Sequence, residues 1–547
     1  MQKAPRLILL LFSILNYSFI MASIPYRNVM YYPARVIYEK TSVPSFYPSM
    51  MKAKYITHLN MAFLDLDSNG DLVLTDEYAD FQIASIPELS GLSYGEPYAG
   101  VLGALFVLKL KNPHLKIGIS VGGWGRDANF PIVAADSTKR DNFAKNIVKF
   151  IEYLGYDFVD IDWEYPSSSD KENFTKFLKA IRNRLDELEE KMGKHYELSI
   201  AASAEPKHMD DIQWDKVLEI LDFTNMMTYD MAGDWDSYTA HHCGLYTNEA
   251  YNHKTMSSAK YSADYCIKHF KETYGSSIDM KKITIGVAPY SYRWKDVKND
   301  GLDSNSPGLF ATASPVKDES YPFWQIPDLM DKYELNEYFD NTAKASYYYS
   351  PNQKVFLTLD NAKAALAKGK YVREKNLGGL ICWEASFDRE HTVTKAMFEG
   401  LYEDGYTFPD DEFKYSKMDF TAKITATKKG YEITVKNNEK STETNVALKD
   451  AELFQKTISF MKLYIRTKSG AKFSSDDSSI TVTNKDGIGI VDPTGHSSAK
   501  HISPRGSYTF SIIVSGTPDV SDIDKISLTQ RITKSLPEFK EQTIYRG

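Results

Sequence analysis

The chain has 547 residues, 42% of them hydrophobic and 13% aromatic, enough apolar material for a large core and more than one domain. A formal net charge of −8 sets aside nucleic acid and anionic membrane surfaces as main partners. Three cysteines are too few for a disulfide framework, and no His or Cys cluster has metal-ligand spacing, so no metal or other cofactor is expected.

Residues 1–22 read as an export signal. Lys3 and Arg6 precede an apolar core from Leu7 to Ile20, and small Ala22 and Ser23 follow at a cleavage point. A secreted protein with no membrane attachment after cleavage is expected, acting as a monomer. Beyond the signal, strand-like runs occur at 28–32, 56–63, 115–121, 157–164, 197–203, 222–230, 283–290 and 377–384, with helical sequence between most of them. One such helix, at 138–154, places Phe143, Ile147, Ile151 and Leu154 on one face and ends at Gly155. Another follows Pro166, with Ser169 and Glu172 spaced as a capping box. Eight βα units over residues 24–408 predict an α/β fold of the (β/α)₈ TIM-barrel type.

Residues 295–356 are too long for one βα connection and read as an inserted subdomain beside the cleft. From 409 to 547 the pattern changes to short alternating runs such as Tyr431–Val435 and Tyr508–Val514, which predicts an all-β sandwich-like accessory module. All seven tryptophans precede residue 384, so a carbohydrate-binding role for this module competes evenly with a docking role. Cys382 sits in an apolar run and reads as a packed thiol. Pairing of Cys243 with Cys266 stays open, and the adjacent His241 and His242 read as incidental.

The most informative stretch is Asp157 to Glu164. Asp160, Asp162 and Glu164 alternate with Val159, Ile161 and Trp163, so one strand face carries three acids about 7 Å apart from one to the next. Acids are rare on strands and costly to bury, and crowding them raises the pKa of at least one. In the predicted barrel, Glu164, Trp124, Tyr229, Asp230 and Trp383 all fall at the C-terminal strand ends, where that fold builds its active sites. The three acids share one strand face, so they approach any bound molecule from the same side.

The motif Asp157-x-x-Asp160-x-Asp162-x-Glu164 resembles the D-x-x-D-x-D-x-E signature of glycoside hydrolase family 18, the chitinases. Ser120-Val121-Gly122-Gly123 is similar to that family's S-x-G-G, Met227-Thr228-Tyr229-Asp230 to its M-x-Y-D, and Trp383 to its eighth-strand tryptophan. The resemblance implies a chitinase acting on chitin or N-acetylglucosamine oligosaccharides by a substrate-assisted, retaining route. It implies Glu164 as general acid, Asp162 and Asp160 as its catalytic partners, and Tyr229 as a donor to the substrate acetamido group. Asp157, Tyr32, Phe63, Trp124, Met227, Asp230, Tyr290 and Trp383 are the implied substrate-binding residues. The same residues would serve an endo-β-N-acetylglucosaminidase acting on N-glycans, and the same barrel occurs as a chitin-binding lectin without the acid. One departure stands out: the family's seventh strand often ends in Tyr-Gly-Arg, but Tyr290-Ser291-Tyr292 puts a tyrosine there, leaving Arg293 as the candidate substitute.

Overall fold

The computed structural model describes residues 24–39, 43–254, 258–275, 278–302, 305–409 and 415–547. The expected export signal lies outside the described residues. Among these residues no helix is long and apolar enough to cross a membrane.

Eight parallel strands close into a barrel: β1 (Arg27–Pro33), β2 (His58–Leu66), β3 (Lys116–Gly122), β4 (Phe158–Asp162), β5 (Glu197–Ser203), β6 (Phe223–Met227), β7 (Ile283–Val287) and β8 (Gly379–Cys382). They hydrogen-bond in sequence order, and β8 and β2 both pair with β1 to complete the ring. These strands were recognisable because burial on both faces makes them near-continuous apolar runs. The helices Gly100–Lys111, Ser137–Leu154, Lys171–Met192, Ala263–Tyr274 and Ala362–Lys375 pack outside. Gly155 caps the second of these at φ 68°, its N–H returning to Ile151 and Glu152. The capping box expected from Ser169 and Glu172 does not form. The helix begins at Lys171, and Asp170 instead accepts the Ser167 N–H at 3.0 Å.

The insertion spans more than expected, from Tyr290 to Thr358. Its five antiparallel strands run in the order Ser314–Pro322, Tyr290–Lys295, Val355–Thr358, Ala345–Ser350 and Asn336–Asp340, with the Ile326–Tyr333 helix beside them. Because its first strand leaves β7 directly, the subdomain is anchored at the barrel's C-terminal end. All three cysteines are free and buried, so Cys243 and Cys266 do not pair.

The C-terminal part holds a four-stranded and a five-stranded antiparallel sheet around a shared core of Ile433, Val435, Leu463, Ile465, Ile512 and Ile526. It also contains a helix, Val446–Lys456, which an all-β reading misses. Ala447, Leu448, Ala451 and Phe454 on this helix belong to the barrel's own apolar core. Phe454 meets Tyr98 at 4.2 Å and Phe106 at 5.2 Å, and Phe539 meets Phe106 at 5.5 Å. Glu443 accepts from Lys149 (2.7 Å) and Tyr153 (2.8 Å) across the same junction. Each buried aromatic or leucine here is worth about 2 kcal/mol of apolar burial. Ending the chain at residue 409 is therefore expected to give a barrel that elutes as aggregates in size-exclusion chromatography. A monodisperse, active truncation would show the junction to be dispensable.

Candidate active site

The alternation of β4 separates two environments. Val159, Ile161 and Trp163 face the helical shell, where the Trp163 ring stacks on Phe130 at 5.2 Å. Asp160 and Asp162 are buried in the barrel. Asp160 is saturated with donors: Tyr31 Oη (2.6 Å) and Ser120 Oγ (2.8 Å) donate to Oδ2, while Ser199 Oγ (2.5 Å) and Asn225 Nδ2 (3.4 Å) donate to Oδ1. Burial pushes its pKa up, and the four donors oppose the rise. Asp162 stands two residues nearer the mouth, and its Oδ1 has no hydrogen-bond partner among the described residues. Burial, followed by the charges of Glu164 and Asp160, holds its pKa well above the usual carboxylate range.

Glu164 lies at the mouth. Burial pushes its pKa up to about 7. Hydrogen bonds from Tyr165 and from the Trp124 backbone N–H work against that rise, while nearby Asp230 and Asp127 add to it. The donors on Asp160 favour its ionised form and limit its rise, while Asp162 and Glu164, raised further, hold a proton more readily.

The Ser120-Val121-Gly122-Gly123 turn is built for this arrangement. Gly122 (φ 111°) and Gly123 (φ 91°) occupy the left-handed region. A Cβ on Gly122 would lie 2.2 Å from Asp162 O, and one on Gly123 would lie 2.7 Å from the Phe63 ring. The Gly123 N–H donates to Asp162 O at 2.8 Å, which ties the turn to β4 and brings the Trp124 N–H to Glu164.

Across the mouth, Tyr229 is buried, and Asp230 follows it with φ 56°, a conformation that Asp tolerates better than most residues. The Asp230 N–H donates to His242 Nδ1 (3.3 Å), and His242 Nε2 donates to Tyr290 O (3.0 Å), which fixes the imidazole proton on Nε2. The Asp230 carboxylate accepts from Tyr290 Oη (2.5 Å) and Tyr292 Oη (3.0 Å). A cavity of about 250 Å³ opens here beside Glu164, lined by Tyr165, Met227, Tyr229, Asp230 and Trp235. On the far side the Trp383 ring stacks on Phe63 at 5.7 Å and meets Tyr31 at the same distance. Trp124 is 77% exposed at the rim.

Four readings of the sequence are corrected here. Asp157 sits at the N-terminal end of β4, the opposite end from Glu164. It is buried against Lys109 (2.6 Å) and Lys194, which hold its pKa down to about 2 although burial alone would raise it. It has no place in a substrate site. Tyr32 is fully buried and donates to Phe46 O (2.6 Å); its neighbour Tyr31 is the residue that reaches the acids. Arg293 does not substitute for the missing arginine, since Glu319 takes its guanidinium and Tyr292 fills the place beside Asp230. His242 is not incidental, because it supports Asp230. The remaining expected residues, Phe63, Trp124, Met227, Tyr229, Asp230, Tyr290 and Trp383, gather around the three acids. Sequence reasoning passed over Tyr31, Tyr165, Ser199 and Asn225. Strand phase relative to Asp160 was the available signal for Tyr31, Ser199 and Asn225.

A family model for the glycosyl hydrolases of family 18 matches residues 27–388. Chitinase 1 of Aphanocladium album is 28% identical over 402 residues, covering 72% of this chain and 90% of that protein. A family 18 N-acetylglucosaminidase structure from Paenibacillus barengoltzii is 30% identical with a TM-score of 0.55, covering 69% of this chain and all of that one. A chitinase from Bacillus thuringiensis, at 21% identity and a TM-score of 0.60, shares the fold over 92% of this chain.

Proposed function

Since the chain belongs to the glycosyl hydrolases of family 18 and is a glycoside hydrolase, we propose that it cleaves β-1,4 bonds between N-acetylglucosamine units of chitin and its oligosaccharides. The carrying observation is the acid ladder on β4, with Glu164 at the cleft mouth and, beneath it, Asp162, whose Oδ1 has no hydrogen-bond partner among the described residues.

In this reading the sugar rests on Trp383. Glu164 protonates the glycosidic oxygen as its bond to C1 breaks. The carbonyl oxygen of the substrate's own 2-acetamido group attacks C1 from the opposite face, the substrate-assisted exception to the two-carboxylate scheme, in which family 18 falls. Asp162 accepts a hydrogen bond from the acetamido N–H and so steadies the resulting oxazolinium ion, and Tyr229 Oη donates to the acetamido oxygen. The Asp160 carboxylate, held by its four donors, keeps negative charge beneath Asp162. Glu164 then takes a proton from water, which opens the intermediate with net retention. Residues 1–22, read as an export signal, support a site of action outside the cell.

The test is product analysis on tetra-N-acetylchitotetraose, its fully deacetylated counterpart and an N-glycosylated protein. The expected result is a β-anomeric product from the acetylated tetramer and no cleavage of the amine form. An α-anomer, or cleavage without acetamido groups, would exclude the mechanism. Glycan release without attack on the tetramer would identify an endo-β-N-acetylglucosaminidase.

The pH profile gives a second check. A general acid with a pKa of about 7 is protonated below that pH and lost above it. The alkaline limb of kcat/KM is therefore expected to fall about tenfold per pH unit above pH 7. A limb bending near pH 4.5, the ordinary carboxyl range, would remove Glu164 from the acid role.

A further inference from the structure

Of the two donors on the Glu164 carboxyl, one is a backbone N–H and the other is a side chain that must itself be held. Tyr165 lines the cavity beside Glu164 and hydrogen-bonds to its carboxyl. Burial, with the charges of Glu164 and Asp162, pushes the Tyr165 pKa far up, so the phenol keeps its proton and acts as the donor. Pro166 narrows the Tyr165 backbone, but the ring still has three staggered choices about χ1. A contact on the ring has to select the one that aims Oη at Glu164.

His208 makes such a contact. Its imidazole stacks on the Tyr165 ring, with centroids 4.4 Å apart and planes 29° apart. The histidine comes from the exit of β5, where Pro206–Met209 form one helical turn that opens on a proline. Met209 is buried at the end of that turn, and Trp214 Nε1–H donates to Met209 O at 2.8 Å. The His208 N–H donates to Glu205 O at 3.0 Å, so the backbone carrying the imidazole is tied on both sides. Burial and Lys207 lower the His208 pKa against the charges of Glu205 and Asp211, which leaves the ring neutral at pH 7 and above. Across the range where Glu164 titrates, His208 therefore offers Tyr165 a flat face and no charge.

We propose that His208 is a positioning residue for the general acid, fixing Tyr165 so that its hydroxyl steadies the Glu164 carboxylate between the two halves of the reaction. The proposal rests on the reading of Glu164 as general acid. In the first half Glu164 gives its proton to the glycosidic oxygen and becomes a carboxylate. Tyr165 Oη and the Trp124 N–H donate to that carboxylate until it takes a proton from the water that attacks C1. No proton leaves Tyr165.

Profiles of kcat/KM against pH on tetra-N-acetylchitotetraose test the assignment, taken for wild type, His208→Ala, His208→Phe, Tyr165→Phe and the His208→Ala/Tyr165→Phe double variant. The Tyr165 bond lowers the Glu164 pKa, whereas burial, Asp230 and Asp127 raise it. Freeing Tyr165 in His208→Ala is therefore expected to move the alkaline limb to higher pH by about one unit. Tyr165→Phe should move it equally, and the double variant no further, because both changes break one link. His208→Phe keeps a flat ring and is expected to keep the wild-type limb. An unmoved limb in His208→Ala, with activity lower by one factor at every pH, is what a structural histidine gives and overturns the proposal. Additive shifts in the double variant, or a His208→Phe limb displaced as far as that of His208→Ala, overturn it too, since His208 would then act by another route. All of these leave the general-acid reading standing. A Glu164→Gln protein with the wild-type profile would bring down that reading and the role of His208 together.

Discussion

Glu164→Gln is expected to lower kcat on chitin oligosaccharides by about 10³–10⁴-fold while leaving their binding within a few-fold of wild type. The amide keeps the size of the acid and still accepts from Tyr165 and the Trp124 N–H, so the mouth of the cleft retains its shape. What it loses is the proton. General acid catalysis accounts for roughly 10²–10⁴ in rate, and here the group both protonates the leaving oxygen and activates the attacking water. A thousandfold loss corresponds to about 4 kcal/mol of transition-state stabilisation. Removing the Glu164 charge also removes one of the influences that raise the Asp162 pKa, so Asp162 in the variant is expected to ionise at lower pH than in the parent. Single-turnover kinetics with direct binding measurements separate these effects. Turnover within tenfold of wild type would mean that another group delivers the proton.

How far the sequence led depended on what each residue's environment demanded. The barrel was legible because each parallel strand is an apolar run between helices, and β5 falls on the expected bounds of 197–203. The three acids were legible because no ordinary strand carries them. Strand phase, applied to β1, would also have selected Tyr31, but two adjacent tyrosines left the choice to closure of the barrel, which turns Tyr31 inward and Tyr32 toward Phe46. The Val446–Lys456 helix was missed because its apolar face is completed by barrel residues more than 300 positions earlier, and its 11 residues lie among strands. Tyr292 was recognised only as a departure, since nothing local shows that its hydroxyl reaches Asp230.

Asp157→Ala is expected to destabilise the fold by about 3–5 kcal/mol and to leave the site chemistry of the folded protein unchanged. The family motif makes Asp157 look like a fourth member of the acid ladder, yet it sits at the closed end of β4 and accepts from Lys109 Nζ, Lys194 Nζ and the Ile117 N–H. Lys109 is 3% exposed, so removing Asp157 takes a carboxylate from a buried ammonium, and breaking a buried pair on one side has a cost of that size. The wild type should show the matching pH dependence. With the folded pKa depressed to about 2 and the unfolded value near 3.9, the carboxylate contributes about 2.6 kcal/mol that is fully present above about pH 5 and lost as pH falls through 2. Denaturant titrations at pH 7 and pH 3 check both statements: the difference between wild type and Asp157→Ala should shrink at the lower pH. The pH profile of kcat/KM is the discriminating readout, because a member of the ladder would move the alkaline limb set by Glu164. A shifted limb would place Asp157 in the chemistry. An unchanged limb with lowered stability would leave it as the buried anchor that sets the strand beneath the acids.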